Sequence, residues 1–368
     1  MKRIVLFVLT AFLMMVTLPC LALIGSHDSS AALTEVSGQK ETISAAENSR
    51  QTQSETDTSA SAAEQSKTQT DVSHETEPPE SNTVGDSFKI LNTSDGNVVT
   101  VDEREFCYGA VAYEMAPSYE KEALKAQCVA CYTHFCRLRE LQKSEPDEEL
   151  KGADFKADLT NHEFYMDEEC RKEKWGSLYE SSMKALKEAV DECFGEYLSE
   201  PDGTPIDAAY FAISSGVTED SKDIFGFESE HLKAVSSPFD RSAPNFQTTV
   251  SVSEQEFISA LSAMQKEFQI GKDPKIQLHR TQNGGSVLTT SIDGFTFTGE
   301  EMRSAFSLRS TCFSIRHQNG TFLFTVLGYG HNVGMSQYGA NEMAKQGANY
   351  REILQHYYQL SSDQIKHT

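Results

Sequence analysis

The sequence predicts an α+β fold for most of the chain, and two observations lead to this prediction. From Ser87 onward, segments with alternating apolar residues and segments with helical spacing occur in clusters, without regular strand–helix alternation. No glycine-rich phosphate-binding loop follows a strand. The roughly 280 residues from Ser87 to Thr368 are therefore expected to form one globular α+β head.

The chain begins with a segment that does not belong to this head. Lys2 and Arg3 precede an apolar run from Ile4 to Ile24, and its roughly 20 residues can cross a bilayer once as a helix. Because the positive charges come first, the remainder is expected outside the cytoplasm, with 1–24 as a single-pass anchor in the cell membrane. A cleaved signal peptide begins in the same way, but its apolar region is usually shorter and no A-x-A site follows here.

Residues 25–86 have a very different composition from the head. Ser, Thr, Gln, Ala and acidic residues dominate, with almost no large apolar side chains. Such a segment cannot bury enough surface to offset its ordering entropy, so we expect a disordered linker. About 60 flexible residues have a root-mean-square span of roughly 40 Å, which makes the segment a tether.

The first elements of the head follow from local patterns. "FKILNTSDGNVVTV" predicts a hairpin around Asp95-Gly96, a strong turn signal. Asp102 is expected to cap the helix "EREFCYGAVAYEM", and Glu105 to complete a capping box. A second helix is predicted from about Tyr119 to Leu141 by its apolar stripe.

The rest of the head mixes strands and helices. "GSLYESSMKALKEAVDECFGEYLS" predicts a helix and then a strand that turns at "PDGTP", and "IDAAYFAISSGVTED" a buried strand that breaks into a polar loop. "TVSVSEQEFISALSAM" predicts a strand and a helix. "SVLTTSIDGFTFTGEEMRSAF" predicts a hairpin and a helix.

Charge and cysteine usage exclude several classes of function. A net charge of −23 and the lack of a basic stripe argue against a nucleic-acid partner. The seven cysteines beyond Cys20 are odd in number and irregularly spaced, unlike a disulfide framework. "CVAC" (Cys128 to Cys131) has redox or metal spacing, but it lies within a helical pattern, which favours buried free thiols.

Glu114 is the candidate catalytic residue. It falls in the last turn of the first helix, before the corner "APS". An isolated Glu is usually solvated, but the neighbours Tyr113, Met115 and Pro117 are unusually apolar for a free surface. Such surroundings desolvate a carboxyl group and raise its pKa, as a general acid requires.

Two further segments are candidates for ligand contacts. The loop of Ser214, Ser215, Gly216, Thr218 and Glu219 has the small polar character of a cleft wall, although a plain surface loop has the same composition. "GYGHNVGMSQYGANEMAKQG", from 328 to 347, places a histidine among glycines. Glycine there permits close approach by another group, and a glycine-rich turn before a helix is the alternative.

Three blocks of the chain resemble the signature blocks of the stage II sporulation protein D (SpoIID) family, also called the amidase-enhancer family. They are "GAVAYEMAPSYEKEALKAQCVACYTHFCR", "YFAISSGVTEDSKDIFG" and "GYGHNVGMSQYGANEMAKQGANYREILQHYY". The resemblance implies that this chain, like the members of that family, is a membrane-anchored protein of a spore-forming bacterium. It also implies lytic transglycosylase activity on peptidoglycan glycan strands during engulfment, with a cell-wall amidase and other engulfment proteins as possible partners.

The resemblance also implies site residues. Glu114 and Met115 stand at the Glu-Met of the family's Glu-Met-Pro motif, with the proline one residue late at Pro117, and Asn332 replaces a glycine of GHGVGMSQ. The substrate-binding candidates, from the resemblance and the polar loop together, are Lys125, Tyr210, Ser214, Thr218, Glu219, His331, Ser336 and Gln337. We expect His331 and Gln337 to form a wall that faces the sugar, and His331 to have little side-chain packing.

Two departures from the family pattern concern charge and metal. Many members carry Ala-Ala-Arg where this chain has Ala130-Cys131-Tyr132, so a cation beside the active site is expected to be lost. Some members hold zinc through two cysteines and a His-Cys pair, whereas Lys156, Asn161 and His162 stand there in this chain. Zinc needs three or four Cys, His or carboxylate ligands, and His134, Cys136 and Cys170 are the alternative donors; we expect no metal or other cofactor.

The sequence therefore predicts a lytic transglycosylase in which Glu114 acts as acid and then as base on glycan that has lost its peptides. Two rivals remain open. One is a non-catalytic enhancer that binds glycan or an amidase, and the other is a structural member of a septal membrane complex.

Overall fold

The computed structural model describes residues 87–368, a mixed α+β head, which confirms the predicted class. The predicted anchor over 1–24 and the linker over 25–86 lie outside the described residues. Within 87–368, no helix is both long enough and apolar enough to cross a membrane.

The bounds of the elements are as follows. The strands are β1 (Ser87–Asn92), β2 (Val98–Asp102), β3 (Phe155–Ala157), β4 (Glu196–Leu198), β5 (Tyr210–Phe211), β6 (Gln247–Ser253), β7 (Ile276–Arg280), β8 (Val287–Ile292), β9 (Phe295–Thr298), β10 (Phe313–Gln318), β11 (Thr321–Leu327), β12 (Met335–Ser336) and β13 (Ile365–His367). The helices are α1 (Glu103–Glu114), α2 (Lys121–Ser144), α3 (Glu168–Trp175), α4 (Tyr179–Cys193), α5 (Ser221–Ile224), α6 (Glu254–Met264), α7 (Gly299–Ala305), α8 (Gln337–Lys345) and α9 (Tyr350–Tyr358).

The strands of the described residues form small sheets. β1 pairs antiparallel with β2, as the hairpin pattern predicted, and parallel with β3. β10, β11 and β6 form one antiparallel sheet, and β7, β8 and β9 form another. β12 pairs parallel with β5, and β13 pairs antiparallel with β4. The buried strand predicted from "IDAAYFAISSGVTED" is thus only two residues long.

The start of α1 departs in one detail from the predicted capping box. Asp102 accepts a hydrogen bond from the backbone N–H of Glu105 at 2.9 Å, as expected. The Glu105 carboxylate, however, accepts from the buried Arg171 of α3 at 2.5 Å. The Glu105 side chain therefore links α3 to α1 instead of bonding back to the start of α1.

Two hydrophobic cores build the head. The larger one packs α1, α2, α4 and α9 against β1, β3 and β5, with aromatic contacts such as Phe106 against Phe135 (ring centroids 4.7 Å apart). The smaller one lies among the strands and helices of residues 247–327, where Phe257 stacks on Phe322 at 3.7 Å. The parallel pair β5–β12 belongs to the larger core, and residues of the candidate site lie in β5 and directly after β12.

The cysteines follow the sequence prediction. All seven cysteines of residues 87–368 are free thiols, and all except the half-buried Cys170 are buried. Cys128 and Cys131 lie inside α2, where they pack in the larger core. The redox or metal interpretation of "CVAC" has no support from this placement.

Candidate functional site

Glu114 is the last residue of α1 and lies at a tight corner between α1 and α2. The corner is closed by a hydrogen bond from the Tyr119 N–H to the Ala116 carbonyl at 3.0 Å. It is tied to α8 because the backbone N–H of Glu120 donates to the side chain of Asn341 at 2.8 Å. The Glu114 side chain is held inside this junction, and the residue is only 8% exposed.

Two hydrogen-bond donors reach the Glu114 carboxyl group. Tyr210 Oη lies 3.4 Å from Oε1, and Gln337 Nε2 lies 3.3 Å from Oε2. Gln337 also lies 3.4 Å from Gln127 Oε1, and the Cys131 thiol donates to Tyr210 Oη at 3.4 Å. Glu114 is thus the centre of a buried polar network contributed by α1, α2, β5 and α8.

Burial raises the pKa of Glu114 to about 8. The hydrogen bonds from Gln337 and Tyr210 and the positive charge of Lys174 act in the opposite direction but do not overcome the desolvation. The direction agrees with the expectation from the apolar neighbours. The group is therefore mostly protonated at neutral pH, the state that a general acid needs.

The pairing of β5 with β12 positions both donors. Met335 lies opposite Tyr210, and Ser336 lies opposite Phe211 in parallel register. Ser336 then caps α8 by accepting from the Gly339 N–H, so Gln337 is the first residue of that helix. Tyr210 and Gln337 consequently approach Glu114 from two adjacent segments.

Four glycines of the 328–347 stretch, all except Gly347, make room for the protein's own chain. A Cβ atom at Gly334, where φ is +79°, would lie 2.0 Å from the Ala209 carbonyl oxygen. A Cβ at Gly339 would lie 2.1 Å from the hydroxyl of Tyr357. The close approach that the sequence suggested is therefore made by neighbouring segments of this chain.

His331 is packed more tightly than the sequence suggested. It is 1% exposed, and its ring contacts Phe211 and Phe225 with centroids 5.4 and 5.2 Å apart. Nε2 lies 3.0 Å from the Tyr210 carbonyl, and Nδ1 accepts from the Val333 N–H at 3.2 Å. The expectation of little packing was wrong, because the adjacent glycines let this segment fold against β5. Burial lowers the pKa of His331 to about 3, so the ring is neutral.

The polar loop after β5 is buried, which rules out the plain-surface alternative for its main side chains. Ser214, Thr218 and Glu219 are each 0% exposed. Thr218 exchanges hydrogen bonds with the backbone of Val235, with its N–H donating to the carbonyl at 2.8 Å and Oγ1 accepting from the N–H at 2.8 Å. These contacts fix the loop within the fold.

Glu219 has its carboxylate fully engaged by the segment before β8. It accepts from the Thr281 hydroxyl at 2.6 Å, the Gly284 N–H at 3.0 Å and the Ser286 N–H at 2.8 Å. Asn332, at a left-handed φ of +71°, bonds to the same loop through Ser215 and Val217. That backbone conformation explains why glycine occupies this position in the family signature.

Asp240 was missed by the sequence analysis. Its buried carboxylate accepts from the hydroxyls of Ser214 and Ser336, the latter at 2.8 Å. The segment "SSPFDRSAP" has the composition of an exposed turn, so its local pattern contains no sign of burial. Gln127 was likewise not singled out, although it lies in the first of the three blocks that resemble the family.

Two positions suggested by the family lie away from Glu114. Lys125 is two residues from Gln127 and therefore on another face of α2, where it pairs with Glu122 at 3.1 Å and Glu192 at 3.3 Å. Tyr132 replaces the family's arginine, and its hydroxyl donates to Glu103 at 2.5 Å. Glu103 opens α1, a 12-residue helix that ends at Glu114, so about 16 Å separates the two. The expectation that the substitution removes a cation beside the active site was wrong.

The donors at the family's zinc positions do not fit a zinc site. Among residues 87–368, no three or more His, Cys, Asp or Glu side chains are grouped so that they could hold a metal ion. The Nδ1 atom of His162 is buried without a hydrogen-bond partner, but one imidazole cannot supply the three or four ligands that zinc requires.

Comparisons with known proteins identify the family of this chain. The family model described as stage II sporulation protein matches residues 92–199. The chain is 34% identical over 273 residues to stage II sporulation protein D of Bacillus amyloliquefaciens, covering 74% of this chain and 77% of that protein. The same coverages apply to stage II sporulation protein D of Bacillus subtilis (strain 168), with 32% identity over 274 residues. A protein named amidase enhancer from Bacillus subtilis (strain 168) is 24% identical over 303 residues, which are 68% of this chain and 39% of that protein. With this similarity along most of its length, the chain belongs to the stage II sporulation protein D family.

Proposed function

We propose that this protein is a peptidoglycan lytic transglycosylase that acts during sporulation. It cleaves the MurNAc–GlcNAc bond of glycan strands that have lost their peptides and leaves a 1,6-anhydro sugar. Residues 1–24 hold it at the cell membrane, with the head outside the cytoplasm. The observation that carries the proposal is the buried Glu114 carboxyl group, whose pKa of about 8 keeps it protonated at neutral pH.

One carboxyl group is sufficient for this reaction. Glu114 donates its proton to the glycosidic oxygen as the bond from C1 of MurNAc to that oxygen breaks. The resulting carboxylate then takes the proton from the C6 hydroxyl of the same sugar as O6 bonds to C1. Atoms balance without water, and Glu114 ends the cycle protonated. A hydrolase would instead use a second carboxylate for a nucleophile or a base.

The two donors to Glu114 suit a group that changes its protonation state. Tyr210 and Gln337 stabilise the carboxylate that forms after the first proton transfer, because hydrogen bonds to an anion are the stronger ones. Among the described residues that hydrogen-bond to Glu114, none is a second carboxylate. This arrangement supports one group acting twice.

A non-catalytic enhancer of a cell-wall amidase is the second candidate function. The similarity to the relative named amidase enhancer favours it. The replacement of the family's arginine does not favour it, because Tyr132 lies at the other end of α1 from Glu114. The enhancer hypothesis predicts increased amidase activity with no anhydro product.

The test incubates the purified full-length chain with peptide-free glycan strands and identifies the products by mass spectrometry. Wild type should release anhydro-MurNAc ends, and Glu114→Gln should release at least about 100-fold fewer, since general acid–base assistance is worth roughly 10²- to 10⁴-fold. Glu103→Gln is the matched control, because Glu103 is also a buried carboxylate on α1 but contacts Tyr132 and Arg139. Absence of anhydro product from folded wild type, together with stimulation of an added amidase, would replace catalysis by the enhancer function.

A further inference from the structure

Two chains of hydrogen bonds converge on the carboxylate of Asp240. In the first, the Gly216 N–H donates to Ser214 Oγ at 3.0 Å, and the Ser214 hydroxyl donates to Oδ2. In the second, the Gly339 N–H donates to Ser336 Oγ at 3.2 Å, and the Ser336 hydroxyl donates to Oδ1 at 2.8 Å. Each hydroxyl accepts from a backbone N–H and donates to one carboxylate oxygen, so both chains have a defined direction.

These chains start from the two segments that carry the donors to Glu114. Ser214 follows β5, which begins with Tyr210, and Ser336 ends β12 directly before Gln337. The two segments make further contact where the Tyr338 N–H donates to the Ala212 carbonyl at 3.0 Å. Asp240 therefore links the segment that follows Tyr210 to the residue directly before Gln337.

Two acceptor oxygens fit this position better than an amide of similar shape. Burial raises the pKa of Asp240, and the hydrogen bonds from Ser214 and Ser336 act in the opposite direction. Asp240 is 0% exposed, and none of the ion pairs among residues 87–368 includes it. A buried charge without a cation is costly unless hydrogen bonds satisfy it. Here two hydroxyls donate to it, and one of them caps the N-terminus of α8, where the helix dipole favours negative charge. An asparagine would turn one acceptor into a donor and break one of the two chains.

We propose that Asp240 is a positioning residue for Glu114. By accepting from Ser214 and Ser336, it fixes the relative position of the two segments that present Tyr210 and Gln337 to the Glu114 carboxyl group. The contribution of Asp240 to catalysis rests on the proposed function. Its effect on the surroundings of Glu114 is independent of that function.

The test measures the titration of Glu114 directly, so that it is independent of activity. The full-length chain is labelled with ¹³C at the glutamate carboxyl carbons, and the Glu114 resonance is identified by its absence from Glu114→Gln. Gln337→Ala removes one donor and should raise the titration midpoint by about half a pH unit to one unit, the size expected for one hydrogen bond. Asp240→Asn and the milder Ser214→Ala should each shift the midpoint in the same direction.

Non-additivity shows whether the effect travels through the donors. In the double variant Asp240→Asn/Gln337→Ala, the shift should be smaller than the sum of the two single shifts. Glu103→Gln, which also removes a buried carboxylate, should leave the midpoint unchanged. In the glycan assay, Asp240→Asn should lower kcat roughly 10- to 100-fold with a smaller change in KM, because misplacement affects the reacting group more than binding.

The results distinguish the inference from the proposed function. An unchanged Glu114 midpoint in folded Asp240→Asn and Ser214→Ala, when Gln337→Ala does shift it, would overturn the positioning role. If Gln337→Ala likewise leaves the Glu114 midpoint unchanged, the positioning role of Asp240 is overturned as well. A shift in these variants, with no anhydro product from wild type, would support the positioning role and refute the transglycosylase.

Discussion

Gln337 Nε2 lies 3.3 Å from Glu114 Oε2 and joins two residues 223 positions apart in the chain. Glu114 is the last residue of α1, whereas Gln337 is the first residue of α8. The negative end of one helix dipole and the positive end of another therefore meet at this carboxyl group. The N-terminus of α8 consequently favours the carboxylate, and the C-terminus of α1 favours the protonated acid.

The pH dependence of activity should report the pKa of Glu114. Because the free enzyme needs the protonated acid, we expect kcat/KM to be level below about pH 8 and to fall tenfold per pH unit above it. Gln337→Ala should move this decline to higher pH, since the lost hydrogen bond acts to lower the pKa. A decline centred near pH 4 to 5 would show that Glu114 titrates as an ordinary carboxyl group.

Glu114 should make the head less stable as the pH rises, whereas a salt-bridged carboxylate has the opposite effect. The pKa of Glu114 is about 8 in the folded state, against an ordinary value of 4.5. Between these values the folded state binds more protons than the unfolded state, so the free energy of unfolding should decrease as the pH rises. Relative to Glu114→Gln, wild type should lose on the order of a few kcal/mol from pH 4.5 to 8. Denaturant unfolding of both proteins across this range is the measurement, and parallel curves would contradict the prediction.

His331→Ala should destabilise the fold by roughly 2–4 kcal/mol, because it removes a buried ring together with its contacts to the Tyr210 carbonyl and the Val333 N–H. His279→Ala, at an exposed position of β7, is the control and should have little effect. Folded wild type resists protonation at His331 down to about pH 3, whereas the unfolded chain binds that proton near pH 6.5. Wild type should therefore lose stability as the pH falls through this window, and His331→Ala should lose less of it. Equal melting behaviour of wild type and His331→Ala would restore the original expectation of an unpacked side chain.

Local patterns predicted much of the fold, and long-range pairing explains what they missed. The α1 helix and its corner are local features, so Glu114 could be placed at a helix end from the sequence. Ser214 and Ser336 reach the same carboxylate because β5 pairs with β12, and Asp240 itself comes from a third segment, 96 positions before Ser336 in the chain. The same pairing explains the error at His331, since a glycine-flanked turn appears unpacked until the strand that fills the space is known.

Zinc should be absent from the purified protein, because the thiolates at the family's zinc positions are replaced. Elemental analysis of the full-length chain, purified without chelator, should give well under one zinc per chain. A chelator should leave the thermal unfolding midpoint unchanged, since a structural metal would contribute directly to folding. Stoichiometric zinc that survives dialysis would show that ligands outside those identified here assemble a site.

Glu219→Gln separates a structural role of this carboxylate from the sugar contact that the sequence suggested. Both oxygens accept hydrogen bonds, from Thr281, from the Gly284 N–H and from the Ser286 N–H. In glutamine, an NH2 group replaces one of these oxygens and faces a donor instead of accepting from it. Buried N–H or O–H groups would then lack an acceptor. Such a loss costs roughly 1–3 kcal/mol, so the free energy of unfolding should fall by about that amount. Glu256→Gln is the matched control, because glutamine can also complete the exposed capping box at the start of α6. If Glu219→Gln keeps wild-type stability but binds peptide-free glycan more weakly in a sedimentation assay, the carboxylate contacts the sugar and the structural assignment is wrong.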